Sequence, residues 1–168
     1  MEKNNLESAR KQLDLILGFF PRVDTKLSVV LGIDLGMLGI LLTKAPDDVD
    51  KITTADWIGA LLFAAAMIVS LIRLYLGSFP NVNGGENSLV FFGAIAQKKD
   101  GDGYAREFNA LAEESLTDDL LRQVWRNAVI LKEKYSHLKS AYIAMVIGIV
   151  PWSFSLYEFI RVSALVRH

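Results

Sequence analysis

Few side chains in this sequence can carry covalent or metal chemistry. Cysteine is absent, and histidine occurs only at His137 and His168. That excludes a thiolate nucleophile, a disulfide scaffold and a multi-histidine metal centre within one chain. Neither a GxGxxG string nor a P-loop string is present, and no Ser/His/Asp set or paired-carboxylate site stands out. The expectation is a protein that is not an enzyme and needs neither metal nor cofactor. The remaining candidates are polar residues in unusual places. Asp34 and Arg73 each sit as the one charge of a long apolar run. Arg122, Arg126 and Lys132 lie on a helix that also carries Trp125, setting cations beside a stacking surface. Asp118, Asp119 and Glu133 lace the same stretch, so a solvated face is the plainer reading. Asn83-Gly84-Gly85 could cradle a phosphate with backbone N–H groups, although a simple turn explains it as well.

The apolar runs that hold these charges are the elements to place first. Residues 27–43, 57–76 and 141–160 carry one charge each: Asp34, Arg73 and Glu158. Seventeen to twenty-five such residues match the thickness of a bilayer core. None of the three shows a polar face at 3.6-residue spacing, as a helix in a soluble bundle would. Composition agrees: 52% of residues are hydrophobic and 22% charged, with a mean hydropathy of +0.30. The reading is an all-α membrane protein of three transmembrane helices with a small helical cytoplasmic lobe; a soluble helical bundle with a very apolar core is the competing one. Eighteen Lys+Arg against nineteen Asp+Glu, net −1, argue against a nucleic-acid partner.

Flanking charge orients the spans. Five cations precede the first run and eight lie between the second and third, whereas the 44–56 loop holds Lys44 and Lys51 among four aspartates. The positive-inside rule puts the N-terminus and residues 77–140 in the cytoplasm, and residues 44–56 and 161–168 outside. Tyr75 and Tyr142 then fall near the inner interface, Trp57 and Tyr157 near the outer one. No cleavable signal peptide is expected, so the first span stays as an anchor.

At ~1.5 Å per residue, Asp34 lies ~10 Å deep and Arg73 ~5 Å deep. Asp34 reads equally as a pore-lining residue or as the partner of Arg73, since a carboxylate in the bilayer demands an explanation. Glu158 and Arg161, three apart, read as a local ion pair. Gly32 and Gly36, with Gly39 one turn on, make a small-residue face for close helix pairing, as do Ala60/Ala64 and Ala144/Gly148. Asp34 lies about 200° around from Gly32 and Gly36. If the glycine face packs inside the protomer, Asp34 turns elsewhere, toward an oligomer axis.

Outside the spans, residues 1–26 contain an amphipathic helix, Leu6, Ala9, Leu13, Ile16, Leu17 and Phe20, expected to end at Pro21. It should pack on its own chain rather than lie on the membrane. Residues 77–85 form a turn-rich connector, 88–97 are ambiguous between strand and helix, and the KKDGDG string is a polar turn. Residues 104–114 read helical. A further helix, N-capped by Thr117, should run unbroken into the third span until Pro151 kinks it.

The order of certain short strings resembles the Pycsar transmembrane effector family, PycTM. Val23-Asp24-Thr25-Lys26-Leu27-Ser28 is similar to the family's Asp-x-Lys-(Ala/Ser) string at the start of its first span. Residues 87–93 (NSLVFFG), Tyr104, Asp119-Leu120, Gln123-Val124, Lys134-Tyr135 and Leu138 are similar to its cytoplasmic segment. The resemblance covers roughly residues 21–160. It implies a bacterial inner-membrane effector of antiphage defence, responding to cyclic CMP or cyclic UMP from an adjacent pyrimidine cyclase. The effector then impairs the membrane, causing cell death and abortive infection. Asp24 and Lys26 are the carried-over motif, as ligand contact or as helix anchor. The expected ligand-binding set is Lys26, Asn83, Arg122, Trp125 and Arg126; Asp34, Arg73, Gly32 and Gly36 are expected at a conduit or a helix pairing. Ligand on the lobe would favour homo-oligomers that breach the bilayer. A non-conducting membrane-anchored interaction protein and a small constitutive channel are the alternatives.

Overall fold

Where the chain takes regular structure, it takes helix. The computed structural model describes residues 2–46, 52–79, 85 and 87–166, the side chains of 2–4 and 165–166 excepted. Among the described residues there are six helices and no strand: α1 (Glu2–Leu17), α2 (Phe20–Thr43), α3 (Thr54–Ser78), α4 (Phe92–Ile95), α5 (Gly101–Ala110) and α6 (Glu113–Val166). Three apolar helical stretches are long enough to cross a membrane. The chain divides into two units. One comprises Met1–Arg22 and Phe79–Glu133, the other Val23–Ser78 and Lys134–His168.

Local chemistry sets the boundaries. α1 stops at Leu17 rather than at Pro21, closed by tightened bonds from Gly18 N to Asp14 O and from Phe19 N to Ile16 O. Pro21 belongs to the first turn of α2, where a missing N–H removes no intrahelical bond. α3 opens on a capping box: the backbone N–H and hydroxyl of Thr53 both donate to Asp56 Oδ2 at 2.8 Å, and Asp56 N–H donates back to Thr53 Oγ1 at 3.4 Å. The KKDGDG string is only half a turn. Asp100 in it N-caps α5, accepting from Gly103 N at 2.6 Å, so α5 starts earlier than the apolar pattern suggests. The segment read as strand or helix resolves into bends and the single turn α4. α6 begins at Glu113, and Thr117 lies inside it, its hydroxyl donating to Glu113 O at 2.8 Å. The helix does not end at Pro151, the point to which the sequence reading carried it unbroken, but continues through it to Val166.

The first unit has a small core of Ala9, Leu13 and Leu120, backed by Leu6, Val90, Leu116 and Val124. The upper part of the α1 stripe therefore packs on its own chain, while Leu15 and Leu17 stay exposed. Burying Leu13 and Leu120 contributes about 1.5–3 kcal/mol each.

The second unit packs α2, α3 and residues 134–166 of α6 in two apolar layers. Leu27, Val30, Leu74, Ala141 and Met145 form one; Met37, Leu41, Phe63, Met67 and Phe159 form the other. Gly59 and Gly148 permit the closeness: a Cβ on Gly59 would sit 2.8 Å from Ser155 Oγ, and one on Gly148 3.2 Å from Ala66 Cβ. Each apolar window is only 28% buried within the chain. Leu61, Ile147 and Val150 are 64%, 63% and 74% exposed. In water that would be an apolar surface far larger than soluble proteins carry, whereas in a bilayer it is the lipid contact. Trp57, Tyr75, Tyr142 and Tyr157, at the ends of the runs, are all exposed, as interfacial aromatics should be.

Candidate functional site

The strings that carried the resemblance fold into two clusters, one in each unit. In the first unit, Asn87 adopts a left-handed backbone (φ 68°), which asparagine tolerates better than most residues. This turns the chain so that buried Ser88 meets α6. Ser88 Oγ donates to Asp119 Oδ2 at 3.0 Å, and Leu89 N–H donates to the same oxygen at 2.9 Å. Ser88 Oγ also accepts from Phe91 N at 2.9 Å, Val90 N at 3.2 Å and Gln123 Nε2 at 3.3 Å. Tyr104 of α5 closes the set by donating its hydroxyl to Leu89 O at 3.1 Å. One carboxylate thus satisfies a hydroxyl and a backbone N–H of a non-helical segment.

Beside this network opens a cleft of about 420 Å³, lined by Asn87, Ser88, Ser115, Asp118, Arg122 and Gln123 among others. That size lies in the small-ligand range. Its cation is Arg122, which is exposed and could take a phosphate in a two-pronged contact. Its acceptors are Asp118 and Asp119, and its amide side chains can meet a base edge. A second cleft of about 870 Å³, lined by Asn5, Gln12, Glu113, Glu114 and Asp118, holds acids and no base, and would repel an anion.

Arg122 is thus the expected ligand residue that lines a cleft of suitable chemistry. Trp125, 70% exposed, and Arg126 lie on the same helix but do not line it. Asn83 falls outside the described residues, although Gly85, two positions on, borders the cleft. Lys26 belongs to the second unit, where its Nζ stands 6.0 Å from the centre of the Tyr135 ring. Nearby, Lys134 Nζ donates to Asp24 Oδ1 at 2.7 Å; Lys134 is nearly buried and Asp24 half exposed. The Asp-x-Lys string therefore splits: its aspartate ties α2 to α6, and its lysine faces an aromatic ring.

In the spans, the pairing of Asp34 with Arg73, one of the two readings of that carboxylate, does not form. Asp34 is 1% exposed and accepts a 2.5 Å hydrogen bond from Ser70 Oγ, while Arg73 is exposed. Ser70 Oγ also approaches Ala141 O at 3.3 Å, so this polar node touches all three helices between the two apolar layers. The glycines run opposite to the conditional expectation. Asp34 faces inward, and Gly32, Gly36 and Gly39 face outward with nothing within 4 Å of an added Cβ. Helical geometry fixed that the two faces are opposed; it could not say which one the neighbours would cover. Ala144 and Gly148 do pack inward. Glu158 and Arg161 form the expected ion pair at 2.7 Å.

Ser70 escaped the sequence reading although it is the single serine in the second run, which holds no threonine. Trp152 escaped it too: its indole N–H donates to Met37 O at 2.8 Å, tying α6 to α2.

The sequence profile of the Pycsar effector protein domain, PycTM, matches residues 8–159, nearly the whole chain. The chain belongs to the Pycsar effector family. That membership supports a role as an antiphage defence effector of the Pycsar type, and the family is not one of known enzymes. Its apolar helices fit a multi-pass membrane protein. No curated protein and no solved structure matches this Pycsar effector.

Proposed function

We propose that this Pycsar effector senses a cyclic pyrimidine nucleotide, cyclic CMP or cyclic UMP, made by an adjacent pyrimidine cyclase. It answers by impairing the bacterial inner membrane, and the infected cell dies before phage can spread. It works without catalysis and without a metal or cofactor. The N-terminus and residues 77–140 are cytoplasmic, which places the sensing surface where a cyclase product accumulates.

The observation that carries this reading is the Arg122 cleft, set within the cluster that the family strings build. A cyclic mononucleotide offers one phosphate anion and one base edge. Arg122 supplies the cation, and Asn87, Asp118 and Gln123 supply donors and acceptors. Self-association through the outward glycine face of α2 is the route from binding to membrane damage, because open glycines let helices of two copies approach closely. A constitutive channel through Asp34 fits less well, because that carboxylate is sealed against Ser70 within one chain.

The test is membrane potential and dye uptake in cells expressing the effector with active cyclase, with inactive cyclase, or alone. Depolarisation with active cyclase only, lost in Arg122→Ala at equal membrane abundance, is the expected result. Depolarisation in every case would favour a constitutive channel. None in any case would leave a membrane-anchored interaction protein.

A further inference from the structure

The second unit contains a groove that the nucleotide reading does not use. It lies between α2 and α6, encloses about 400 Å³, and is lined by Lys26, Val29, Val30, Leu138, Lys139 and two tyrosines, Tyr135 and Tyr142. Its walls are mostly apolar, no carboxylate lines it among the described residues, and two lysine side chains, Lys26 and Lys139, border it. The nearest acid in sequence, Asp24, already pairs with Lys134 at 2.7 Å. Lys26 directly precedes the first apolar run, and Lys139 lies two residues before the third. Both therefore stand at the level where an apolar span meets lipid headgroups.

We propose that this groove binds one anionic glycerophospholipid, with its phosphate between Lys26 and Lys139 and an acyl chain along Val29, Val30 and Leu138. The chemistry matches at both ends. A phosphodiester needs cations that are not already neutralised, and basic pockets between spans supply them. A free soluble phosphate would gain nothing from apolar walls, whereas an acyl chain gains from each methylene it buries. Tyr142, 54% exposed, lies at the same level, where amphipathic rings settle in a membrane. The Lys26–Tyr135 contact holds one ammonium near the groove in advance.

The experiment needs neither nucleotide nor cyclase, so it stands or falls apart from the sensing function. The full chain, in a neutral detergent, is titrated with dioleoyl phosphatidylglycerol, dioleoyl phosphatidylcholine or inorganic phosphate, and thermal unfolding is followed. Phosphatidylglycerol should raise Tm saturably; phosphatidylcholine and inorganic phosphate should not. The half-saturating concentration should rise about fivefold in Lys26→Gln or Lys139→Gln and about thirtyfold in the double variant. The charge-preserving Lys26→Arg/Lys139→Arg variant should stay near wild type. Should the double glutamine variant fold poorly, the single variants and Tyr142→Ala carry the comparison. Equal shifts with phosphatidylcholine, a shift with inorganic phosphate, no saturable shift in the wild type, or variants indistinguishable from it would each overturn the proposal.

Discussion

At the scale of single residues, two polar groups in the first unit separate structure from recognition. Asp119 has its Oδ2 committed to Ser88 and Leu89, whereas neighbouring Arg122 is exposed at the cleft. Asp119→Ala should therefore cost about 2–3 kcal/mol, since two donors lose a charged acceptor. It should also speed proteolysis of the 87–100 segment. Arg122→Ala should leave Tm within the range of a neutral surface change, about 0.5 kcal/mol, and abolish the response to cyclase. The pair of measurements distinguishes a collapsed lobe from an unliganded one. In the spans, Asp34 and Ser70 should show a coupling of about 0.6–1.7 kcal/mol in a double-mutant cycle of Asp34→Leu and Ser70→Ala. Asp34→Asn keeps an acceptor for the hydroxyl, and membrane leakage under active cyclase should be unchanged. An altered leak at equal expression would return Asp34 to a conduit.

Among the elements, glycines with the same sequence appearance do opposite work. A methyl at Gly59 has no room against Phe154 and Ser155, while one at Gly32 or Gly36 meets empty space. Gly59→Ala should destabilise the bundle by about 1–3 kcal/mol, read as a lowered unfolding temperature in detergent. Gly32→Ile/Gly36→Ile should leave that temperature unchanged and suppress both crosslinking between copies and cell death. The contrast shows what was legible in sequence. Three spans, the continuity of α6 and the Glu158–Arg161 pair followed from periodicity and spacing. The inward turn of Asp34 did not, because it depends on Ser70 thirty-six positions away. The helix starts at Thr54 and Gly101 depend on caps that hydropathy does not weigh. The capping box of Thr53 and Asp56 was nevertheless written in the sequence. The Ser88–Asp119–Gln123 cluster was visible only as separated strings; their meeting requires the turn at Asn87.

For the whole molecule, the shallow burial of its apolar helices makes lipid or detergent a condition of solubility. The absence of native cysteine makes orientation simple to measure, because each engineered thiol is the only one present. Lys44→Cys should react with an impermeant maleimide in spheroplasts, whereas Lys11→Cys and Lys99→Cys should react only after permeabilisation. The reverse pattern would place residues 77–140 outside and remove the sensing function proposed for them.

The node of Asp34, Ser70 and the Ala141 carbonyl also limits how the bundle can move. Sliding one helix past its neighbours by a single turn, about 5.4 Å, would carry the carboxyl away from its hydroxyl and into a layer of methyl groups. A piston stroke would therefore break this hydrogen bond and bury the carboxyl without a partner. Tilting about the node, or association between whole copies, leaves the bond intact.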